Sequence, residues 1–242
     1  MSLFLQKVSK VYGRRTVVKE VTLSVQSGEI VGLLGPNGAG KTTTFYLAAG
    51  LEQPNTGRVW FQSQDVTRLP LHRRARLGIS YLTQETSIFR HLSVQDNLLL
   101  VMEQSGVPAH LRSQHLYSLL SDFQLHTVAD LLGVQISGGE RRRTEIARAL
   151  AVGSLGPRFL LLDEPFAGID PMAVADIQRI LTQLRDRNLG ILITDHNVRE
   201  TLAITNRAYI LREGEMLASG SPEALYQNNL VQEYYLGSRF QR

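Results

Sequence analysis

The run Gly35-Pro36-Asn37-Gly38-Ala39-Gly40-Lys41-Thr42 constrains this chain more than any other stretch. It fits the spacing G-x-x-x-x-G-K-[ST], and its surroundings fit as well. The apolar Ile30-Val31-Gly32-Leu33-Leu34 before it predicts a buried parallel strand, and Thr42 to Gly50 after it predicts a helix. Three glycines let the backbone curl until successive N–H groups converge as an anion nest, and the helix N-terminus adds partial positive charge. Lys41 can then reach the outer phosphates of a nucleotide and the Thr42 hydroxyl can ligate Mg²⁺, with Thr43 beside them in the first helical turn. A chance match in a glycine-rich turn is the plain alternative, and the strand-before, helix-after context argues against it.

At 242 residues the chain can bury one large core, with or without a subdomain. Hydrophobic residues at 43% and charged residues at 20% predict a soluble globular protein. No apolar stretch approaches the ~20 residues needed to cross a bilayer, and Met1–Leu5 does not read as a signal peptide. With no cysteine, disulfides, thiol catalysis and Cys-ligated metal are excluded, which suits the cytosol. A net charge of +4 suits a polyphosphate ligand or an anionic membrane surface without requiring nucleic acid.

Leu3 to Val8 and Thr16 to Val25 alternate as strands around Gly13-Arg14-Arg15, and Gly57 to Phe61 adds another, predicting a small antiparallel layer beside the P-loop strand. From about Leu92 to Val152 the pattern turns helical. Ser93 with Asp96 predicts a capping box, and Pro108 to Phe123 carries Leu111, Leu116, Leu119 and Leu120. Strands return at Phe159–Leu162, Ile191–Thr194 and Ala208–Leu211, around a helix with Asp170 as N-cap and Pro171 at its first position. The alternation argues for an α/β core with a parallel sheet, interrupted by a helical insertion.

Phe159-Leu160-Leu161-Leu162-Asp163-Glu164 is an apolar strand ending in two carboxylates. At the carboxyl end of a buried strand, Asp163 can hold Mg²⁺, while Glu164 can orient or deprotonate an attacking water. Ile136-Ser137-Gly138-Gly139-Glu140 then opens a helix through Arg141-Arg142-Arg143, a second anion-binding element whose arginine run also reads as a solvated face.

These last residues resemble the signature motif of the ATP-binding-cassette (ABC) ATPases, usually L-S-G-G-Q, with Ile136 and Glu140 as departures at its ends. Other positions follow in the family's order. Tyr12 resembles the aromatic that stacks on adenine, Gln84 the Q-loop glutamine that contacts Mg²⁺, Ala167-Gly168-Ile169-Asp170 the D-loop, and His196 the histidine that contacts the γ-phosphate. The resemblance implies a single ABC ATPase domain over residues 1–242 with ATP and Mg²⁺ as ligands. Its fold is α/β: a P-loop NTPase (RecA-like) parallel-sheet core, an antiparallel β subdomain, an inserted α-helical subdomain over about 85–152, and a C-terminal helical tail over 221–242. It also implies a head-to-tail homodimer, each ATP sandwiched between one copy's P-loop and Ser137, Gly138, Gly139, Glu140 and Asp170 of the other, with Glu164, His196 and Gln84 as the catalytic set and Thr42, Gln84 and Asp163 around the metal.

Within the family, stretches such as Leu69–Ala75, Gln84–Val94, Gly138–Arg143, Asp163–Gly168, Thr194–Leu202 and Tyr235-Leu236-Gly237 are similar to the ATPases of lipopolysaccharide exporters, across essentially the whole chain. Thr83 stands where those carry proline, and Gly153-Ser154-Leu155-Gly156 lengthens a loop. The resemblance implies a peripheral protein on the cytoplasmic face of the inner membrane. Phe89 and Arg90 would line a groove for the coupling helices of two transmembrane subunits, and the Tyr234–Phe240 tail would pack at the dimer interface. Rival readings are the ATPase of another transporter, such as a branched-chain amino acid importer, a non-hydrolysing regulatory cassette, and a soluble nucleic-acid protein using Arg73, Arg74, Arg76 and Arg141–Arg143. The last lacks aromatics interleaved with its charges, so no direct nucleic-acid contact is expected.

Overall fold

The computed structural model describes residues 1–236. The first layer is an antiparallel sheet in the order β2-β1-β4-β5, from β1 (Ser2–Tyr12), β2 (Arg15–Gln26), β4 (Thr56–Phe61) and the short β5 (Gln64–Asp65). The predicted P-loop strand, β3 (Ile30–Leu34), belongs to a second sheet. That sheet runs β10-β9-β3-β8-β7-β6, with β6 (Ile79–Leu82), β7 (Phe159–Asp163), β8 (Gly190–Thr194), β9 (Arg207–Arg212) and β10 (Glu215–Gly220). β6, β7, β8, β3 and β9 are parallel and only the edge strand β10 is antiparallel, a hairpin that the sequence reading missed.

β3, β7 and β8 are buried at every position, as strands covered on both faces must be. Their side chains divide by parity. Ile30, Leu160, Leu162, Ile191 and Ile193 enter the core under the helical insertion, whereas Val31, Leu33, Phe159, Leu161 and Leu192 enter the core shared with the antiparallel sheet. Burying each such side chain contributes about 1.5–3 kcal/mol, so both layers are bound to the central sheet by the same short strands.

Between the sheets lies α1 (Lys41–Ala49), whose Phe45, Leu47, Ala48 and Ala49 are buried. Its carboxyl end is held by Arg74 of α2 (Leu71–Leu77), which is 0% exposed and donates to the carbonyls of Leu47, Ala48, Thr67 and Leu69 at 2.7–3.0 Å. A cation among those carbonyls complements the negative helix end. The insertion contributes α3 (Val94–Gln104), α4 (Ala109–Asp122) and α5 (Gly138–Leu150). Ser93 caps α3 through the Asp96 N–H, but its hydroxyl also donates to the Asp96 carboxylate at 2.6 Å, in place of the backbone bond of the expected capping box. α6 (Pro171–Asp186) opens as predicted on Asp170, which accepts from the N–H groups of Met172 and Ala173. α7 (Val198–Ile204), α8 (Pro222–Gln227), α9 (Asn229–Val231) and a π-helical turn over Gln232–Leu236 close the described chain. Gly237 and Phe240 of the predicted tail lie outside the described residues.

Candidate functional site

β3, β8, β7 and β6 are neighbours in one sheet, and the residues singled out in the sequence follow their carboxyl ends in turn: the P-loop after β3, His196 after β8, Glu164 after β7 and Gln84 after β6. This is where open parallel sheets gather ligands. Gly153–Gly156 precedes β7 at its other end, tied by the Gly153 N–H to Ser105 Oγ at 2.9 Å. The five-residue strand separates it by about 16 Å from the carboxyl ends.

In the P-loop, Gly35 is buried, Pro36, Asn37 and Gly38 are exposed, and Ala39 is buried. Gly40 is the N-cap of α1 at φ +101°, and a Cβ there would lie 2.7 Å from the Val17 carbonyl, so only glycine fits. Lys41 is buried, its ammonium donating to the carbonyls of Gly35 at 2.8 Å and Pro36 at 3.1 Å. Burial lowers its pKa, opposed by the charges of Glu164 and Asp163. Thr42 and Thr43 are half-buried in the first turn.

Glu164 is the centre of the arrangement. Its φ of +51° is unusual for a residue with a side chain and costs about 1–2 kcal/mol. The turn is held by its own N–H, which donates to the Thr194 carbonyl at 2.8 Å. It aims a 6%-exposed carboxylate at two partners: Oε2 accepts from Gln84 Nε2 at 2.8 Å, and Oε1 lies 2.7 Å from His196 Nε2. Three side chains from three loops thus meet at one carboxylate, with Gln84 and His196 both exposed to an incoming ligand.

Asp163 is 1% exposed, and burial pushes its carboxyl up to about 6. One oxygen accepts from the Tyr81 hydroxyl at 3.2 Å; the other, Oδ1, is buried without a hydrogen-bond partner. An orphaned buried carboxylate oxygen is the donor a hard cation takes. Among the described residues no group of three or more His, Cys, Asp or Glu stands together as a metal-binding cluster.

Other predicted residues lie apart from this cluster. Tyr12 ends β1, 42% exposed, with the Lys10 ammonium 5.1 Å from its ring centre. Ser137 and Gly138 are exposed, and Gly138 and Gly139 sit against Gly168 and Ala173, next to Asp170. Ser137 and Glu140 form a full capping box: Ser137 donates its N–H at 2.8 Å and its hydroxyl at 2.7 Å to Glu140, whose own N–H returns to Ser137 Oγ. The glutamate of the atypical signature thereby orders the serine, and these bonds hold its carboxyl below the usual range. Thr83 closes its turn through a 2.9 Å bond to the Glu85 carbonyl.

Sequence reasoning missed three buried groups that hold the cluster. Arg142, read with its neighbours as a solvated face or nucleic-acid contact, is 6% exposed. It donates to the carbonyls of Asp163, Glu164, Pro165 and Thr83 and pairs with Glu145 at 3.0 Å. With Arg74 equally buried, the basic surface of the nucleic-acid reading loses two members. Glu145 accepts from the N–H groups of Ser87 at 2.7 Å and Ile88 at 3.3 Å, joining α5 to the segment after Gln84. Asp195, 3% exposed, accepts from Phe166 N–H at 2.8 Å and Asn197 N–H at 2.9 Å, fastening the turn after Glu164 to the loop that carries His196. Asp195→Asn, which turns one acceptor into a donor, is expected to cost about 1–3 kcal/mol in urea unfolding and to lower turnover.

Beyond Gln84, Phe89 is 48% exposed while its backbone is pinned both ways by Asn97, at 2.9 and 3.1 Å. The Arg148 guanidinium lies 5.2 Å from its ring centre and donates to Ser87 Oγ. Arg90 beside it is exposed. Tyr234 carries the Arg212 guanidinium 3.8 Å from its ring, so the described part of the tail packs on its own chain.

Residues 18–167 match the family model of the ABC transporter. The chain is 53% identical over 98% of its length to the lipopolysaccharide export system ATP-binding protein LptB of Acidithiobacillus ferridurans, covering 97% of that protein. It is 52% identical over 99% of its length to the protein of that name from Escherichia coli K12, covering 98% of it. Among solved structures, an ATP-binding cassette of an ABC transporter in its ADP conformation superposes with a TM-score of 0.87 at 25% identity, over 98% of this chain and 100% of that one. A bacterial cassette solved as a dimer shares the fold, with a TM-score of 0.79 at 23% identity over 91% of this chain and 98% of its own.

Proposed function

The chain belongs to the ABC transporter family as an ATPase subunit, and we propose from that premise that it powers lipopolysaccharide export, working as a head-to-tail pair beneath two membrane-spanning partner subunits. The observation that carries the chemistry is the Glu164 carboxylate held between Gln84 and His196 at the carboxyl end of the sheet. Likeness over nearly the full length to two lipopolysaccharide export proteins supports the cargo.

On this reading ATP stacks its adenine on Tyr12, and the P-loop amides of Gly35–Gly40 cradle its phosphates. Lys41, now bonded to P-loop carbonyls, turns to the outer phosphates. Thr42, Gln84 and Asp163, whose Oδ1 lacks a partner, would hold a Mg²⁺ ion, which would supply neutralisation of the phosphate charge. Glu164 accepts the proton of the attacking water, and His196 and Gln84 fix its carboxylate and face the γ-phosphate. Catalysis is then positioning and charge stabilisation of a loose phosphoryl transition state.

Ser137–Gly139 and Asp170 support the paired arrangement. Ser137, Gly138 and Asp170 are exposed beside Gly168, with Gly139 buried against Ala173, and none of them bonds to its own chain's P-loop among the described residues. A second copy turned head to tail offers that surface to the open side of the ATP. Among the described residues no helix is long and apolar enough to cross a membrane, so this reading places the chain peripherally, at the cytoplasmic face, and assigns the bilayer to its partners.

Phe89 and Arg90 are the contact to those partners on this reading. Phe89→Ala or Arg90→Glu is expected to reduce co-purification of membrane subunits several-fold while leaving the free subunit's ATPase within about twofold, since neither side chain touches Glu164. The test is affinity purification from detergent extracts with identification of the retained membrane proteins. Recovery of subunits that bind lipopolysaccharide supports the reading; recovery of an amino-acid permease, or unchanged recovery by both variants, overturns it.

A further inference from the structure

Asp163 has two carboxylate oxygens, and only one is spoken for. Tyr81 of β6 donates its hydroxyl to Oδ2 at 3.2 Å, while Oδ1 is buried and unpaired. The registration of β6 on β7 explains why they meet. Tyr81 stands opposite Leu161, two residues before Asp163, so in the parallel pair the side chains of Tyr81 and Asp163 share a face. The Tyr81 ring is fixed in turn by Tyr46 of the P-loop helix, edge-on at 6.3 Å and 89°. Three elements, α1, β6 and β7, therefore converge on the orientation of one carboxylate.

We propose that Tyr81 is a positioning residue for divalent-metal binding: its hydroxyl locks the Asp163 carboxylate so that Oδ1 alone faces the ion. The proposal rests on the reading of Asp163 as a metal-binding group and goes beyond it, since nothing in phosphate binding or proton transfer calls for a tyrosine on β6. A carboxylate free to rotate would offer either oxygen and lose the preset geometry that Mg²⁺, with its strict octahedral preference, selects. Groups that orient a metal ligand from behind typically contribute 10–100-fold in metal affinity.

The test uses the full chain with ADP, so that no turnover intervenes, and compares wild type, Tyr81→Phe and Asp163→Asn. Mn²⁺ binding to the ADP complex is followed by the loss of the free-ion electron paramagnetic resonance signal, and ADP affinity is measured separately in EDTA. Tyr81→Phe keeps the ring against Tyr46, and the expected result is about a 10-fold weaker Mn²⁺ affinity with the metal-free ADP affinity unchanged. Wild-type Mn²⁺ affinity in Tyr81→Phe, with loss in Asp163→Asn, overturns the role of Tyr81 and leaves the metal site standing. Wild-type affinity in Asp163→Asn overturns the metal reading beneath it. An equal loss of ADP affinity in EDTA overturns the proposal in favour of a purely structural tyrosine.

Discussion

Glu164→Gln binds ATP as the wild type does and turns over about 10²–10⁴-fold more slowly, the contribution expected of a general base. The substitution changes little else. The amide keeps the volume of the side chain, the turn at φ +51° and the Glu164 N–H bond to Thr194, none of which depends on the carboxylate charge. What it removes is a proton acceptor 2.8 Å from Gln84 and 2.7 Å from His196. ATP affinity should persist because the P-loop amides and Lys41 are untouched. Steady-state phosphate release, with nucleotide binding measured in parallel, checks both halves; turnover near the wild-type rate would remove Glu164 from the role of base.

Arg142→Ala has the largest expected effect on stability. Arg142 donates to four carbonyls around Asp163–Pro165 and Thr83 and is the ion-pair partner of Glu145, which is itself 2% exposed. Removing one member of a buried pair leaves the other charge uncompensated, at about 3–5 kcal/mol. For a domain of this size that is a fall in Tm of roughly 6–20 °C. Arg142→Met combined with Glu145→Gln separates the two contributions. It removes the orphaned charge and keeps an acceptor for the Ser87 and Ile88 amides, so the part of the loss due to the unpaired charge should return. Turnover should stay low, because the carbonyls that hold Asp163 and Glu164 still lack their donors. Thermal unfolding and ATPase assays on both variants check this; full activity in the double variant would show that Arg142 only neutralises Glu145.

What could be read from the sequence was whatever a local pattern determines. The P-loop, the apolar strand ending in Asp163 and the Asp170–Pro171 helix start each depend on backbone geometry within a few residues, and the strand–helix alternation around them gave the α/β core. The four neighbouring strand ends that bring Gln84, Glu164 and His196 together follow from topology, which one sequence without its pairing partners does not display. The buried polar supports were illegible for a related reason. Arg142 stands in a run of three arginines at the start of an amphipathic helix, a pattern that reads as a solvated face. Its burial depends on carbonyls more than twenty residues away, and Glu145 is read correctly only once the Ser87 amide is known to lie above it. Asp195 and Tyr81 were hidden in the same way, Asp195 as the residue just after an apolar strand and Tyr81 as one side chain inside a short one. The antiparallel layer beside the parallel core was expected, but not that β3 and its neighbours would divide their side chains between two cores.

In the head-to-tail pair each chain supplies half of each ATP site. Sedimentation velocity of the Glu164→Gln chain, with and without ATP, measures the pairing directly. The mass should double when ATP is present, and adding Ser137→Arg, which places a bulky cation on the exposed signature surface, should return it to the monomer without abolishing ATP binding. A Glu164→Gln chain that binds ATP and sediments as a monomer, or a dimer indifferent to Ser137→Arg, would contradict the head-to-tail arrangement.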